Sequence, residues 1–468
     1  MTARALLTHG YCLAADAHEH GVMKPYPPLG LLYVAAYLRE RGVAVDVADP
    51  TFAPPAEAAA TVAHHGAPVV GVYANMMTRP RVLAIIGRAR EAGKLVVVGG
   101  PDPANYPAAY LAHGADVVVF GEGEEAMAEV LPALDKAGPH RLEAVAGIAF
   151  RNEVGAVVRT PPRPTIADLD GLPWPARSAV SMAEYLAVWR AHHGAGSVSL
   201  ITSRGCPYRC RWCSHAVFGY THRRRSPGAV ADEIAHIREA YAPDMLWFAD
   251  DVFSIDHRWL AAFAKEMRRR DLVLPFETIT RADRVTQEVV EAMGDLGCFR
   301  VWIGSESGSQ RILDAMDRGV TPEQVRWAVR CFHRAGIEVG LFLMWGYEGE
   351  TQRDIEATIA HVKAADPDLF LTTVAYPIKG TPYFDDVAPR VRPRRPWALG
   401  SDRDNGVDGR ASSRYYAFAS RRLRHEVDVH RLVATGWPSP RTVWPWARGV
   451  AGTAWARLAM AALRSWPR

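Results

Sequence analysis

Three cysteines lie within eight positions of one another, in the segment TSRGCPYRCRWCSH at 202–215. Cys206, Cys210 and Cys213 follow the spacing CxxxCxxC, in a chain of 468 residues that has only six cysteines. A structural zinc site normally has four ligands in two pairs, and no second pair of that spacing is evident, although His215 and His222 lie nearby. A CxxC redox motif would leave Cys206 without a role. An iron–sulfur cluster held by three thiolates would leave one iron open for an exogenous ligand.

The elements around these cysteines predict a barrel. From about residue 196, short apolar runs alternate with helical stretches, which predicts six βα units of a partial TIM-type barrel. The predicted strands are 197–203, 245–250, 274–280, 299–307, 338–346 and 369–377. The cysteines follow the first of these strands, at the end where such barrels place their chemistry. This position favours the cluster over zinc or a redox pair.

The first part of the chain predicts a different α/β domain. Continuous apolar runs at 4–9, 43–49, 68–74, 94–100 and 115–124 alternate with helical segments. Such runs indicate a parallel sheet that is covered on both faces, in a doubly wound, Rossmann-like domain. Ligands of this fold bind beyond the carboxyl ends of the strands, where the loops here are rich in glycine and proline.

Composition divides the remainder of the chain. Five prolines between Pro161 and Pro175 indicate an extended connector. We therefore predict a first domain at 1–145, a linker at 146–195, the barrel at 196–385 and a basic, partly helical region at 386–468. Residues 387–468 hold 16 Lys/Arg against 5 Asp/Glu, although the net charge of the whole chain is only +4.

Charge and composition also limit the partners. The small net charge gives no argument for nucleic-acid binding. Six cysteines in so long a chain do not form a disulfide framework, and the first residues lack the pattern of a signal peptide. The sequence contains no uninterrupted run of 18 apolar residues, so it predicts no membrane-spanning helix. We expect a cytoplasmic protein, with possible peripheral membrane contact through its basic, Trp-rich C-terminal tail.

The cysteine segment resembles the radical SAM enzymes. CPYRCRWC has the form of their CxxxCxφC motif, with Trp212 as the aromatic residue before the last cysteine. WFADDVF at 247–253, VWIGSESGSQRIL at 301–313, LFLMWGYEGET at 341–351 and YPIKGTPYFD at 376–385 resemble later segments of that barrel. The resemblance implies a [4Fe–4S] cluster whose open iron binds S-adenosylmethionine (SAM), and reductive cleavage of SAM to a 5′-deoxyadenosyl radical. It also implies an electron donor such as flavodoxin or ferredoxin.

The sequence of the first domain indicates which subgroup of the radical SAM enzymes the chain resembles. YPPLGLLYVAAYLRERG, VVVGGPDP and DVVVFGEGEEA resemble the cobalamin-binding domain that precedes the barrel in B12-dependent radical SAM enzymes. This family includes methylases of unactivated centres and the anaerobic magnesium-protoporphyrin monomethyl ester cyclase. The resemblance implies transfer of a methyl group from methylcobalamin to a small-molecule substrate. The alternatives are oxidative cyclisation of a porphyrin-like ester, a radical SAM enzyme whose first domain no longer binds B12, and a zinc-stabilised interaction protein.

The resemblance also implies the site residues. Cluster ligands would be Cys206, Cys210 and Cys213, and SAM contacts would be Trp212, Asp250, Asp251, Arg281 and Glu306. Cobalamin contacts would be Asn75, Gly99, Gly100, Pro101, Gly121, Glu122, Gly123 and Glu124. His18 belongs to DAHEHG, which fits the DxHxxG motif of cobalt-ligating domains, but three prolines separate it from the next helix. A loop beneath the corrin without a cobalt ligand is the alternative.

Overall fold

The N-terminal part of the chain folds into a seven-stranded sheet in the computed structural model, which describes residues 4–434 and 443–465. The strands are β1 (Ala5–His9), β2 (Val45–Ala48), β3 (Val69–Tyr73), β4 (Leu95–Gly99), β5 (Val117–Val119), β6 (Ile148–Arg151) and β7 (Val157–Arg159). Their order is β2-β1-β3-β4-β5-β6-β7, and β1 to β5 are parallel. The predicted doubly wound sheet is confirmed.

Helices cover both faces of this sheet. They are α1 (Ala17–Val22), α2 (Leu29–Glu40), α3 (Pro55–His64), α4 (Arg79–Glu91), α5 (Pro101–Asn105), α6 (Pro107–Ala112) and α7 (Gly123–Ala137). One core packs α2 and α7 against the sheet, and a second core packs α4 and α6 against its other face. The central strands β3, β4 and β5 consist of apolar residues, glycine and one tyrosine because both of their faces are covered.

The sheet continues beyond residue 145, into the segment that the sequence assigns to the linker. Strand β6 pairs antiparallel with β5, and β7 pairs antiparallel with β6. Ile148 and Phe150 are fully buried in the first core. The hairpin is short and its outer strand, only three residues long, is largely exposed, so this stretch of the sequence resembles a loop.

A second sheet of six parallel strands forms the predicted partial barrel. Helix α8 (Met182–His193) precedes this sheet. Its strands are β8 (Ser197–Leu200), β11 (Met245–Phe248), β12 (Phe276–Thr280), β13 (Cys298–Glu306), β14 (Glu338–Trp345) and β15 (Leu369–Val374). Between β8 and β11 the chain forms a separate two-stranded ladder of β9 (Ser203–Arg204) and β10 (Arg223–Arg224). The helices are α9 (Pro227–Tyr241), α10 (His257–Arg269), α11 (Gln287–Asp295), α12 (Gln310–Ala315), α13 (Pro322–Arg334) and α14 (Gln352–Ala365). The sheet order β15-β14-β13-β12-β11-β8 follows the chain, as in a barrel that stays open.

The C-terminal region contacts both the first domain and the barrel. It comprises α15 (Pro382–Val387), the short pair β16 (Val391–Arg392) and β17 (Gly406–Val407), α16 (Ser413–Ala434) and α17 (Val443–Ser465). Helix α16 packs against α14, and Trp345 Nε1 at the end of β14 donates a hydrogen bond to Ser420 Oγ at 2.9 Å. This helix therefore covers the β15 side of the barrel, and it belongs to the region 386–468 that is predicted to be basic and partly helical.

The two C-terminal helices lie against each other, and α17 leaves Trp444, Trp455 and Leu458 largely exposed. Trp455 packs edge-on against Phe418 of α16, with ring centroids 4.8 Å apart. Within the described ranges, no helix combines the length and apolar character that crossing a bilayer requires. Peripheral membrane contact through this tail stays a prediction.

Candidate functional site

The three predicted cluster cysteines lie on one loop that is closed at its base. The ladder of β9 and β10 pairs Arg204 with Arg223, so the chain leaves and re-enters the barrel at the same point. Gly205 has φ +87°, and a Cβ at this position would lie 2.5 Å from the carbonyl oxygen of Thr221. Only glycine fits both the backbone conformation and this approach. The loop is therefore a separate compact unit at the mouth of the barrel.

The surroundings of the cysteines fit a cluster with three thiolates. Cys210 is buried, Cys206 half-buried and Cys213 exposed. Among the residues that the structure describes, no three His, Cys, Asp or Glu side chains converge as the ligands of one metal ion. The thiolates of a [4Fe–4S] cluster bind different irons, so they need not converge on one point. The donor set of three cysteine sulfurs on one loop therefore fits this group.

Arg281 lies directly beside the cysteines. Its Nη1 is 3.7 Å from Cys210 Sγ, and its guanidinium stacks 3.6 Å from the centre of the Tyr208 ring. Asp283 accepts from Arg281 Nε at 2.8 Å and keeps the side chain in this orientation. The guanidinium N–H thus points at the sulfur and can donate a hydrogen bond to it. Arg281 is placed to stabilise negative charge at Cys210.

Glu306 ends β13 in a strained conformation. Its φ is +58°, which is uncommon for a residue other than glycine, and the register of β13 with β14 shifts between Gly304 and Glu306. Burial raises the pKa of this carboxyl, and Arg318 opposes that effect with Nε 3.7 Å from Oε1. Strain of this kind persists where the surrounding structure enforces it, and such positions cluster at ligand sites.

Asp250 holds the start of the cluster loop. Its carboxylate accepts hydrogen bonds from the backbone N–H and the hydroxyl of both Thr202 and Ser203, including Thr202 N at 2.7 Å and Ser203 Oγ at 2.9 Å. Arg224 Nη2 approaches the same carboxylate at 3.2 Å. These contacts account for both oxygens of Asp250, whereas the neighbouring Asp251 is exposed and lines a cavity. A SAM contact for either residue stays a prediction.

An apolar cavity of about 120 Å³ lies at the carboxyl edge of the first sheet. Its lining includes the glycines Gly30, Gly71, Gly99, Gly100, Gly121 and Gly123. A Cβ on Gly99 would have Val119 as its nearest neighbour at 3.7 Å, and one on Gly121 would have the Val217 oxygen at 3.5 Å. Side chains at these positions would occupy space that the backbone leaves open. The cradle therefore fits an apolar part of a large cofactor.

A second cavity of about 280 Å³ joins the two domains. Asn75, Pro101 and Asp102 line it from the first sheet, and Ser214, which follows Cys213, lines it from the cluster loop. Asp251 and the segment 215–219 complete this side. The structure thus brings predicted cobalamin contacts and the cluster loop to opposite walls of one space.

Glu122 and Glu124 face the barrel. Both line the apolar cavity and are buried, and they accept from Arg204 Nη1 at 2.7 Å and Arg204 Nη2 at 2.6 Å. Arg223 Nη1 reaches the other oxygen of Glu122 at 2.8 Å. Arg204 and Arg223 form the base of the cluster loop, so these ion pairs fix the first sheet relative to the cysteines.

His18 lies apart from these residues. It is exposed on the six-residue helix α1, which Asp16 caps, and it lines neither of the two cavities. A bond from His18 to cobalt stays a prediction without support from its position.

Sequence reasoning missed two charged groups. Arg204 directly precedes the Gly-Cys of the cluster motif, and that adjacency was a usable signal. Arg79 was missed too: it bonds Asp102 through Nε at 2.8 Å and Nη2 at 2.7 Å, and Asp402 through Nη2 at 3.0 Å. All three residues are buried, and no local pattern predicts that Asp402 meets residues some 300 positions earlier.

The relatives of the chain agree with this arrangement. The Radical SAM superfamily matches residues 200–362 and the B12 binding domain matches residues 22–131. An uncharacterized methyltransferase of Pyrococcus horikoshii is 31% identical over 368 residues, which cover 76% of this chain and 77% of the relative. The chain belongs to the B12-binding radical SAM enzymes. The cofactors of this radical SAM enzyme are a [4Fe–4S] cluster, SAM and cobalamin.

Two further relatives of this radical SAM enzyme differ in activity. The anaerobic magnesium-protoporphyrin IX monomethyl ester cyclase of Rubrivivax gelatinosus is 27% identical over 287 residues, which are 59% of this chain and 50% of the cyclase. The structure of the radical SAM methyltransferase TsrM from Kitasatospora setae, with cobalamin and a [4Fe–4S] cluster bound, superimposes with a TM-score of 0.69. It is 20% identical and covers 83% of this chain and 75% of its own, a likeness of fold.

Glu350 makes the stability of the protein depend on pH. Burial raises the pKa of this carboxyl to about 8, while Oε2 accepts from Gly346 N at 2.6 Å. Between about pH 4.5 and pH 8 the folded state therefore holds a proton that the unfolded state has lost, so stability falls as pH rises through this window. Glu350→Gln should abolish that fall and be more stable than the wild type at pH 8 by about 1–3 kcal/mol.

Urea unfolding at pH 5 and pH 8 measures this difference. Glu348→Gln, at an exposed position paired with Arg390, is the control and should leave the pH dependence unchanged. The same slope in Glu350→Gln and the wild type would contradict the assignment.

Proposed function

We propose that the protein is a cobalamin-dependent radical SAM methyltransferase that acts on a small molecule. Cys206, Cys210 and Cys213 would hold the cluster, and Trp212, Asp251, Arg281 and Glu306 would surround the SAM that binds to it. When bound, the cluster and SAM supply a carbon-centred radical that abstracts hydrogen, and cobalamin supplies the methyl group. The observation that carries this proposal is the 280 Å³ cavity. One of its walls comes from the cluster loop, and the other comes from the cobalamin edge, the carboxyl edge of the first sheet where the predicted cobalamin contacts lie.

The residues of the chain would divide three tasks. Arg281 stabilises negative charge beside Cys210, and Asp250 holds the backbone of Thr202 and Ser203 so that the loop keeps its place. Glu122 and Glu124 fix the cobalamin edge to Arg204 at the base of that loop. Asn75, Gly99, Gly100, Pro101, Gly121 and Gly123 would form the cobalamin cradle. An external donor such as flavodoxin or ferredoxin and a cytoplasmic location belong to the same proposal.

An isotope experiment tests methyl transfer. Protein reconstituted anaerobically with iron, sulfide and cobalamin is incubated with a reductant and SAM that carries a deuterated methyl group. A methyltransferase should place deuterium in the bound corrinoid and form 5′-deoxyadenosine. Deoxyadenosine without label in the corrinoid would favour the cyclase, and iron without bound cobalamin would contradict the use of two cofactors.

Gly99→Val should weaken cobalamin binding by at least about tenfold, because the added methyl groups occupy the apolar cradle without a clash that would unfold the strand. The measurement is the visible absorption of cobalamin that stays with the protein through gel filtration. Gly87→Val is the matched control, since a Cβ at Gly87 on α4 meets nothing within 4 Å. Equal cobalamin retention by the two variants would remove the cradle from the proposal, whereas iron content should be normal in both.

A further inference from the structure

A third cavity lies at the ends of the last two barrel strands. It measures about 980 Å³ and lies between the ends of β14 and β15 and the C-terminal segment 390–416. A volume of this size accommodates a small organic ligand. One part of its lining comes from the mouth of the barrel, where the chemistry of this fold takes place. The other part comes from the C-terminal region, which lies outside the βα units of the barrel.

Two tyrosines connect this cavity with the cluster cysteines. Tyr347 lines the cavity and packs edge-on against Trp212, with ring centroids 6.5 Å apart. Tyr376 lines it as well; burial raises the pKa of its hydroxyl, the charge of Arg403 lowers it and that of Cys213 raises it. A ligand in this cavity would lie within reach of the cluster loop.

Arginines outnumber carboxylates in the lining, where the acidic side chains are Glu348, Glu350, Asp404 and Asp408. Five arginines line it: Arg390, Arg392, Arg394, Arg403 and Arg410. Arg390 pairs with Glu348 at 2.8 Å, and Arg392 pairs with Asp408 at 2.6 Å. Arg410 donates to the carbonyl oxygen of Ala375 and, at 3.3 Å, to Tyr383 Oη.

Arg394 and Arg403 differ from these three. Their guanidinium groups form no hydrogen bond or ion pair with any residue that the structure describes. Arg394 lies against Gly406, whose added Cβ would be 3.7 Å from the Arg394 Nε. Both side chains are exposed, so their guanidinium groups are open to a ligand. Two planar guanidinium groups on the wall of one cavity suit a carboxylate, phosphate or phosphonate, each of which accepts paired hydrogen bonds from arginine.

Glu350 supplies a further polar contact in the same wall. Its Oε1 is buried and has no hydrogen-bond partner among the described residues. Because the pKa of this carboxyl is raised to about 8 by burial, it is protonated at neutral pH and does not repel an anion. A protonated carboxyl can also donate a hydrogen bond to an acceptor on the ligand.

We infer that this cavity binds the substrate and that the substrate carries an anionic group, held by Arg394 and Arg403. The inference rests on the proposed function, since it assigns a substrate class to that reaction. The candidate substrates are all small organic molecules that carry an oxyanion. The experiment below distinguishes a phosphoryl or phosphonyl group from a carboxylate.

Calorimetric titration of the reconstituted holoenzyme, with SAM present, tests the inference. The probes are phenylphosphonate, benzoate and benzyl alcohol, which share a ring and differ in charge. We expect an anion to bind at least tenfold more tightly than the alcohol. Tighter binding of phenylphosphonate assigns a phosphonyl or phosphoryl substrate, and tighter binding of benzoate assigns a carboxylate. Equal binding of all three probes would overturn the inference.

Matched variants locate the site. Arg394→Gln with Arg403→Gln should weaken anion binding by about tenfold or more, whereas Arg394→Lys with Arg403→Lys keeps the charge but loses the paired hydrogen bonds and should bind with an affinity between those of the wild type and the glutamine variant. Arg395→Gln changes an exposed neighbour that does not line the cavity and should bind the anion as the wild type does. Anion affinity unchanged by the double glutamine variant would remove the site.

A separate readout distinguishes this inference from the proposed function. Deoxyadenosine formation without substrate and retention of cobalamin depend on the cluster loop and the first sheet. If both persist while no anion binds, the substrate class is wrong and the proposed function stands. If both are absent in the wild type, the proposed function itself fails.

Discussion

Cys210→Ala is expected to abolish the formation of 5′-deoxyadenosine from SAM, by at least about 1,000-fold, while cobalamin binding persists. Cys210 is the buried member of the three cysteines, and Arg281 Nη1 lies 3.7 Å from its sulfur. Removing this thiolate takes away one of three anchors and leaves the Arg281 cation beside an apolar methyl group. The glycine-lined cavity of the first sheet contains no part of this side chain. Iron content, deoxyadenosine and bound cobalamin measure the three consequences.

Cys331→Ala is the matched control for this prediction. Cys331 is also buried but lies on α13, within the barrel core and outside the cluster loop. Its replacement should leave iron content and SAM cleavage near the wild-type level. Deoxyadenosine formation by the Cys210→Ala protein at the control's rate would refute the assignment of the cluster.

Arg79→Met is expected to lower the free energy of unfolding by about 3–5 kcal/mol. Arg79 is 2% exposed, and it neutralises Asp102 of the first domain and Asp402 of the C-terminal region at once. Its loss leaves two buried carboxylates without their cation. The Arg79 guanidinium also stacks on Tyr106 and Trp397, with its central carbon 4.7 Å and 4.9 Å from the ring centres. Methionine keeps some of this packing but none of the charge.

The same helix provides the control for Arg79→Met. Arg88 of α4 pairs with Glu91 at 2.8 Å, but both side chains are more than half exposed. Exposed pairs of this kind contribute about 0–1 kcal/mol. Arg88→Met should therefore shift the urea unfolding midpoint very little, and a similar shift in the two variants would show that the buried triad is not the cause.

The two domains and their order could be predicted from the sequence because their signals are local. Continuous apolar strands alternating with helices report the burial of both sheet faces, and this pattern needs no tertiary contact to be recognised. The spacing of Cys206, Cys210 and Cys213 fits into one loop, so the cluster could be inferred from eight positions. Glycines at strand ends, such as Gly99 and Gly121, likewise mark where a backbone leaves room for a ligand.

The tasks of the charged residues could not be predicted in this way. Asp250 follows its strand as a ligand-binding carboxylate would, yet its oxygens accept from Thr202 and Ser203 of a neighbouring loop. Glu122 and Glu124 were predicted as cobalamin contacts, and the structure adds their ion pairs with Arg204. A carboxylate has the same local sequence whether it meets a cofactor or an arginine from another domain.

The sequence by itself therefore determined the cofactors' scaffold: a doubly wound sheet, an open barrel and a loop of three cysteines. Only the tertiary structure decided how these parts are joined. The hairpin of β6 and β7, the pairing of Arg204 across the domain boundary and the triad of Arg79, Asp102 and Asp402 all depend on contacts between distant parts of the chain. Such contacts are selected by packing and by the cost of burying unpaired charge, and neither is written in the spacing of neighbouring residues.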